Sequence, residues 1–277
     1  MKIEDLDPII EAALREDMPN GDITSENILP KDSVSRAVFL AKDDGVLAGI
    51  DVVRRVFARI DPAIHFEKKE EDGSDIRRGD KLACLCGNSI SLLMGERTAL
   101  NFLQRMSGIA TLTRHYVRAL EGYETKILDT RKTTPSLRVL EKYAVKVGGG
   151  RNHRLNLSDM ILIKDNHLKI VGSITEAVIK AREKGPLGVK IEVETTSLEE
   201  VREAIRCDVD MIMLDNMSTG DMKRAVVLVG GRIPLEASGN AQLSRIKEIA
   251  ATGVNFISVG QLTHSYASLD ISMEILS

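Results

Sequence analysis

Six short apolar runs recur in the second half of the chain: KILDT, MILIKD, VKIEVE, VDMIMLD, RIPLEAS and VNFISVG. A stretch compatible with a helix separates each run from the next, and strand-helix repetition of this kind is the pattern of a parallel sheet. Each run closes on polar chemistry: Asp129, Thr130, Arg131 and Lys132; Lys164, Asp165 and Asn166; Glu194; Asp215 and Asn216; Glu236 and Ser238; Ser258 and Gly260. From Glu194 the closing positions 194, 215, 236 and 258 lie 21, 21 and 22 residues apart. That rhythm suits compact βα units. Polar residues at the carboxyl ends of parallel strands mark a ligand site in a doubly wound sheet and in an α/β barrel alike.

One strand separates the two topologies. In VKIEVET, Lys190, Glu192 and Glu194 share one face, and Val189, Ile191 and Val193 the other. Three charges on one face of a central strand need a wet or ligand-filled interior. An open sheet covered by helices on both sides would bury them, at a cost of several kcal/mol per unpaired ion. A barrel with its site at the mouth accommodates them. Six strands fall short of eight, so an incomplete, open α/β barrel is expected.

The first half has a different texture. Ile3 to Arg15 reads as an amphipathic helix with Ile9, Ile10, Ala13 and Leu14 at helical spacing. Val34 to Ile50 reads as two strands around a turn at Asp44-Gly45, followed by a short helix, Asp51 to Ile60, and an alternating stretch punctuated by Gly73 and Gly79. A small mixed sheet with helices is expected. Two helical stretches broken at Gly108 follow it. The expected division is residues 1–106 as an N-terminal domain, 107–265 as the barrel, and 266–277 as a C-terminal helix packed back on the first domain.

Several classes are disfavoured. Acids outnumber bases by three, Trp is absent and aromatics are 3%, so a general basic face or stacking platform for nucleic acid is not expected. No apolar stretch reaches the length of a membrane span, and the N-terminus lacks the features of a signal peptide, so the expectation is a cytoplasmic protein without a membrane partner. Cys84, Cys86 and Cys207 make an odd count without a second ligand pair, and inert thiols are expected.

Charge is divided along the barrel. From Lys126 to Lys169 there are ten bases against four acids; from Glu192 to Asp221 there are nine acids against two bases. Clustered guanidinium and ammonium groups, Arg131, Lys132, Arg151, Arg154 and Lys164 with His153, suit carboxylates and phosphates. Glu194 and Asp215 can hold a hard cation such as magnesium or accept hydrogen bonds from sugar hydroxyls. Arg138, Lys142 and Lys146 are expected on the outer face of a helix. Gly148 to Gly150 belongs to no phosphate-loop motif and reads as a flexible loop that lets the following basic cluster approach a ligand. Glu236-Ala237-Ser238-Gly239-Asn240 and Ser258-Val259-Gly260 precede helices, where backbone N–H groups bind phosphate.

ERTALNFLQRMSGIAT, DTRKTTPSLR, VGGGRNHR, LIKDNH, IEVE, IMLDNM, LEASGN and ISVGQLTHS occur in this order. Together they closely resemble quinolinate phosphoribosyltransferase, over most of the chain. The resemblance implies an N-terminal α/β sandwich, an incomplete barrel and a homodimer or higher oligomer. It implies magnesium-dependent transfer of phosphoribosyl from 5-phosphoribosyl 1-pyrophosphate to quinolinate, with decarboxylation to nicotinate mononucleotide on the way to NAD. It places Arg131, His153, Arg154 and Lys164 on the quinolinate carboxylates, with Arg97 reaching across from the neighbouring subunit. Lys132 falls between the two substrates. Glu194 and Asp215 face ribose and magnesium, directly or indirectly, and Ser238, Gly239, Asn240, Gly260 and His264 lie near the phosphates. Ser136 and Asn240 stand where the family commonly has Gly, and Gln261 where Ala is common. Two alternatives are a related transferase for another anionic acceptor and a non-catalytic barrel that binds a phosphometabolite.

Overall fold

The computed structural model describes residues 6–276. Twelve strands are assigned among them. The first five are β1 (Val34–Ala41), β2 (Gly45–Val46), β3 (His65–Lys68), β4 (Asp75–Ile76) and β5 (Lys81–Asn88). Six follow at the apolar runs: β6 (Lys126–Leu128), β7 (Ile161–Ile163), β8 (Ile191–Thr195), β9 (Met211–Asp215), β10 (Leu235–Ser238) and β11 (Phe256–Ser258). The last is β12 (Ile271–Leu276).

The chain divides into two compact units. One holds the residues up to Arg114, then Thr134–Gly149 and Ser265 onward; the other holds His115–Thr133 and Gly150–His264. The first unit is built on a four-stranded antiparallel sheet in the order β12-β1-β5-β3. Helices Asp7–Asp17 and Ile50–Ile60 belong to the same unit. Its core includes Phe39 and Phe57, packed edge to face with centroids 6.1 Å apart. The expected N-terminal helix is present from Asp7, with Ile10 and Leu14 buried; the start expected at Ile3 lies outside the described residues.

Three expectations for this unit need correction. The C-terminal segment is a strand, β12, which pairs antiparallel with β1 from Arg36↔Leu276 to Ala41↔Ile271. Its sequence alternates Ile271, Met273, Ile275 against Ser272 and Glu274, a period of two that turns Ile271 and Met273 inward and is incompatible with a helical stripe. Gly108 does not break a helix. Ser89–Ala119 is one unbroken helix, and a Cβ at Gly108 would meet Ala267 O at 2.1 Å, so the glycine permits a close backbone crossing. Lys142, expected outside, is only 2% exposed on helix Arg138–Val147.

The first glycine of the run is also packed. Gly148 faces Ala110 O and Thr113, and its own carbonyl accepts from Arg114 Nε at 3.1 Å. Gly149 has φ 97°, a left-handed turn that carries the chain off the helix just where it passes from one unit to the other.

The second unit is a six-stranded parallel sheet in the order β6-β11-β10-β9-β8-β7. No ladder joins β6 to β7, so the barrel stays open. At the β6 edge an isolated parallel bridge pairs Leu128 with Arg151, and Asp129 N–H donates to Arg151 O at 3.1 Å. Helices Ile174–Lys184, Leu198–Arg206 and Thr219–Val229 connect successive strands, each N-capped by a serine, Ser173, Ser197 or Ser218, that accepts from the backbone three residues on. Such caps fix where each strand ends. Every residue of β8 is buried, including Glu192 at 0% and Glu194 at 9% exposure, as the alternation of charges in that strand requires of a barrel interior.

Candidate active site

At the carboxyl ends of the six parallel strands the second unit opens into a cleft of about 640 Å³. Every strand end contributes. Asp129, Thr130, Arg131 and Lys132 follow β6; Leu162 and Lys164 come with β7; Glu194 comes from β8, Met213, Asp215 and Asn216 from β9, Glu236, Ser238, Gly239 and Asn240 from β10, and Ser258 from β11. His153 and Arg154 enter from the segment beside β6. A smaller hollow of about 190 Å³ adjoins it, sharing Thr130, Lys132, Ser238, Gly239, Asn240 and Ser258 and adding Gly260, Gln261 and His264. The site residues that the resemblance implies within this unit thus converge, whereas Arg151, also expected in the cation cluster, is exposed and lines neither hollow. Arg97 is exposed on helix Ser89–Ala119 in the first unit and lines neither hollow.

The cations and acids of the cleft face one another. Lys164 Nζ donates to Glu194 Oε2 at 3.0 Å, with Lys164 half exposed. Arg154 is nearly buried and donates from Nη1 to Met160 O at 3.0 Å; burial and the neighbouring Arg131 charge push its guanidinium below its usual range. Arg131 Nε is buried without a hydrogen-bond partner. Two guanidinium groups in mutual repulsion, one with an orphaned donor, form a place where a bound carboxylate or phosphate relieves both costs.

Asp215 is held by its neighbour. Asn216 Nδ2 donates to Asp215 Oδ2 at 2.8 Å, and Asn216 N–H donates to Ser238 O at 2.9 Å. Asn216, with φ 53°, sits so close to Gly239 that a Cβ there would meet its Oδ1 at 2.2 Å. Gly239 and Asn240 are consecutive left-handed residues, at φ 88° and 49°, which turns the chain between β10 and the next helix around the smaller hollow. Gly260 performs a similar service: a Cβ there would lie 3.0 Å from Lys132 Cδ and 3.2 Å from His264 Nε2. Lys132 is further fixed by its backbone, whose carbonyl accepts from Thr263 Oγ1 at 2.8 Å and whose N–H donates to Thr130 Oγ1 at 3.0 Å.

Beneath the cations lies a group that the sequence reading did not single out as site residues. Asp129, fully buried, accepts from His153 N–H at 2.8 Å and from Asn152 Nδ2 at 2.5 Å. The His153 ring points down, with Nε2 at 2.8 Å from Glu192 Oε2 and 3.4 Å from Glu236 Oε2, and Nδ1 accepts the N–H of Arg154 at 2.8 Å. Burial works against a charged ring, while the Glu192 hydrogen bond and the negative charges of Glu192 and Glu236 strengthen the ring's hold on its Nε2 proton. Burial, aided by the Glu236 charge and opposed by the His153 hydrogen bond, pushes Glu192 up to about 7. The Arg154 N–H aimed at Nδ1 leaves no room for a proton there, so the proton this cluster retains sits between Nε2 and Glu192. Alternation along VKIEVET signalled Glu192, but only the pairing of β8, β9 and β10 brings Glu236 to the same floor.

Residues 22–107 match the quinolinate phosphoribosyl transferase N-terminal domain, and residues 109–274 match the C-terminal domain of the same family. The chain is 46% identical over 274 residues to a probable nicotinate-nucleotide pyrophosphorylase (carboxylating) of Synechocystis sp., covering 98% of this chain and 92% of that protein. It is 46% identical over 260 residues to the Bacillus subtilis protein of the same name, covering 94% and 90%. Among solved structures it is similar to NadC from Streptococcus pyogenes, at 43% identity and a TM-score of 0.96, covering 100% of this chain and 99% of that one. A nicotinate-nucleotide pyrophosphorylase from Francisella tularensis aligns at 38% identity with a TM-score of 0.95, covering 100% and 98%. Both domains of the family are matched in order and almost end to end by a chain whose cleft gathers the family's clustered cations and carboxylates: it belongs to the quinolinate phosphoribosyltransferase family.

Proposed function

We infer that this chain transfers the phosphoribosyl group of 5-phosphoribosyl 1-pyrophosphate to quinolinate and releases carbon dioxide, forming nicotinate mononucleotide for de novo NAD synthesis. One observation carries the reading: Arg131, Arg154 and Lys164 stand opposite Glu194 and Asp215 in a cleft continuous with a glycine-lined hollow. Quinolinate is a dianion, and two guanidinium groups with a lysine match it in charge and in hydrogen-bond geometry. The smaller hollow, walled by backbone at Gly239–Asn240 and Gly260, suits phosphate.

Lys132 lines both hollows, so its ammonium can neutralise the acceptor and the leaving group in turn. As pyrophosphate departs, positive charge grows at the anomeric carbon, and the fixed carboxylates of Glu194 and Asp215 stabilise it without reorganising. The same carboxylates accept ribose hydroxyls. Lys164 must release Glu194 to reach a substrate carboxylate, an exchange of one anion for another. Ribosylation makes the ring nitrogen cationic, which stabilises the electron pair left on the adjacent ring carbon as carbon dioxide departs, and a proton from solvent then takes the place of the lost carboxylate.

Two carboxylates with open space in front of them fit magnesium, which keeps much of its water and takes the rest of its ligands from phosphates. Glu194 and Asp215 are the residues that would hold it, and it would supply charge neutralisation at the pyrophosphate. A homodimer with Arg97 delivered to the partner's cleft, and a cytoplasmic setting, belong to the same reading. Among the described residues, no helix is long and apolar enough to cross a membrane. Carboxyl-labelled quinolinate tests the reaction: labelled carbon dioxide and pyrophosphate should appear together only with quinolinate, the phosphoribosyl donor and magnesium all present. Equal turnover of nicotinate would overturn the assignment.

A further inference from the structure

The floor of the cleft poses a problem of energetics. Glu192 and Glu236 are both fully buried, and Glu192 Oε1 and both oxygens of Glu236 have no hydrogen-bond partner. A buried carboxylate without donors is costly, and two side by side more so. The donor nearest to both is His153 Nε2, whose ring is 7% exposed. With Nδ1 occupied by the Arg154 N–H, the ring has no nitrogen left for a bound substrate in this arrangement.

We propose that Glu192 and Glu236 are positioning residues for the acceptor half of the site: they anchor the His153 ring, and through it set the backbone and guanidinium of Arg154 against the substrate carboxylate. The link is continuous in the structure. Asp129 fixes the His153 backbone from one side, the two carboxylates fix its ring from below, and the ring fixes the Arg154 N–H. Arg154 is then held at a second point by Met160 O. Arg154 lines the cleft together with Arg131. Each link locks the rotamer of the one above it, as supporting shells do around metal-bound histidines. The carboxylate oxygens left without hydrogen bonds, Glu192 Oε1 and both of Glu236, are the cost of anchoring a ring in the barrel interior.

His153, Glu192 and Glu236 also form the one compact set of potential metal ligands found among the described residues, with ligand atoms within 4.8 Å of one another. A metal on Nε2 would require the proton on Nδ1, where the Arg154 N–H already points. The geometry therefore favours a hydrogen-bonded anchor over an ion.

This proposal rests on the quinolinate reading, and its test separates the two. Kinetics of Glu236→Gln and Glu192→Gln should show the quinolinate KM raised about tenfold, with the KM for the phosphoribosyl donor within about twofold. Glu236→Asp should recover part of the loss. Combining Glu236→Gln with His153→Gln should cost no more than His153→Gln alone, because both act through one ring. Parallel rises in both KM values, or additive losses, would overturn the proposal as a general loss of packing. Should the variants fail to fold, or the wild type fail to turn over quinolinate, nitrogen-15 histidine spectra of the wild-type protein decide it. A protonated, hydrogen-bonded Nε2 beside an unprotonated Nδ1 is expected for His153. A protonated Nδ1, or loss of that signal on adding stoichiometric zinc, would replace the anchor with a metal site. Wild-type silence with the expected spectrum would overturn the reaction and leave the anchor standing.

Discussion

At the scale of single residues, backbone conformation bears on Ser136 and Asn240, two positions that the resemblance sets against a common glycine. Ser136 and Asn240 both have positive φ, 66° and 49°, where glycine is unstrained and an L-residue costs roughly 1 kcal/mol. Asparagine tolerates that region better than most residues, so Asn240 keeps the turn that a glycine would make. Asn240→Gly should leave the KM for the phosphoribosyl donor within about twofold, whereas Asn240→Val should raise it about tenfold or more, because a β-branched residue cannot hold this turn. Steady-state kinetics at saturating quinolinate would show the difference.

At the scale of elements, how far the sequence could be read depended on whether period or contact set the conformation. The six parallel strands were legible because alternation and length are local properties, and the inward placement of Glu192 and Glu194 followed from spacing alone. The β12 strand was legible in principle from its alternation of Ile271, Met273 and Ile275. Gly108 was not, because a helix tolerates a glycine whenever tertiary packing supplies the stability that propensity withholds. What that glycine serves is the crossing at Ala267, a contact made more than 150 residues along the chain. Gly108→Ala should preserve the helix but lower stability by about 2 kcal/mol, since a new Cβ must displace backbone. Urea denaturation with an unchanged slope would register it; an unchanged midpoint would refute the close crossing. The glycine run at 148–150 follows the same rule. It read as a flexible loop, but Gly148 is packed at the end of a helix and Gly149 makes the left-handed turn out of it.

At the scale of the whole molecule, the basic stretch from Lys126 to Lys169 is divided between the two units. Residues 134–149, with Arg138, Lys142 and Lys146, group with the first unit, and Arg131, Lys132, Arg151, Arg154 and Lys164 with the second. The net charge of a stretch therefore says little about a site until topology decides which side chains share a cavity. The proposed homodimer belongs to this scale too. If Arg97 completes the partner's cleft, Arg97→Ala and Glu194→Ala should each abolish turnover, and an equimolar mixture of the two should recover up to about a quarter of wild-type activity, because half of the randomly paired dimers are mixed and each of those keeps one intact site of two. Size-exclusion chromatography with light scattering would establish the mixed species, and confirmed mixed dimers without activity would refute the shared site. The sequence by itself determined the chemistry on offer: which residue types close each strand, the period that makes those strands parallel and barrel-forming, and the family. Only the tertiary structure decided which of those groups reach substrate and which stand behind them. Nothing in the spacing distinguishes Glu194, open to the cleft and paired with Lys164, from Glu192 and Glu236, buried under His153. That distinction depends on strand register and on depth within the barrel, and both arise from contacts between residues far apart in the chain.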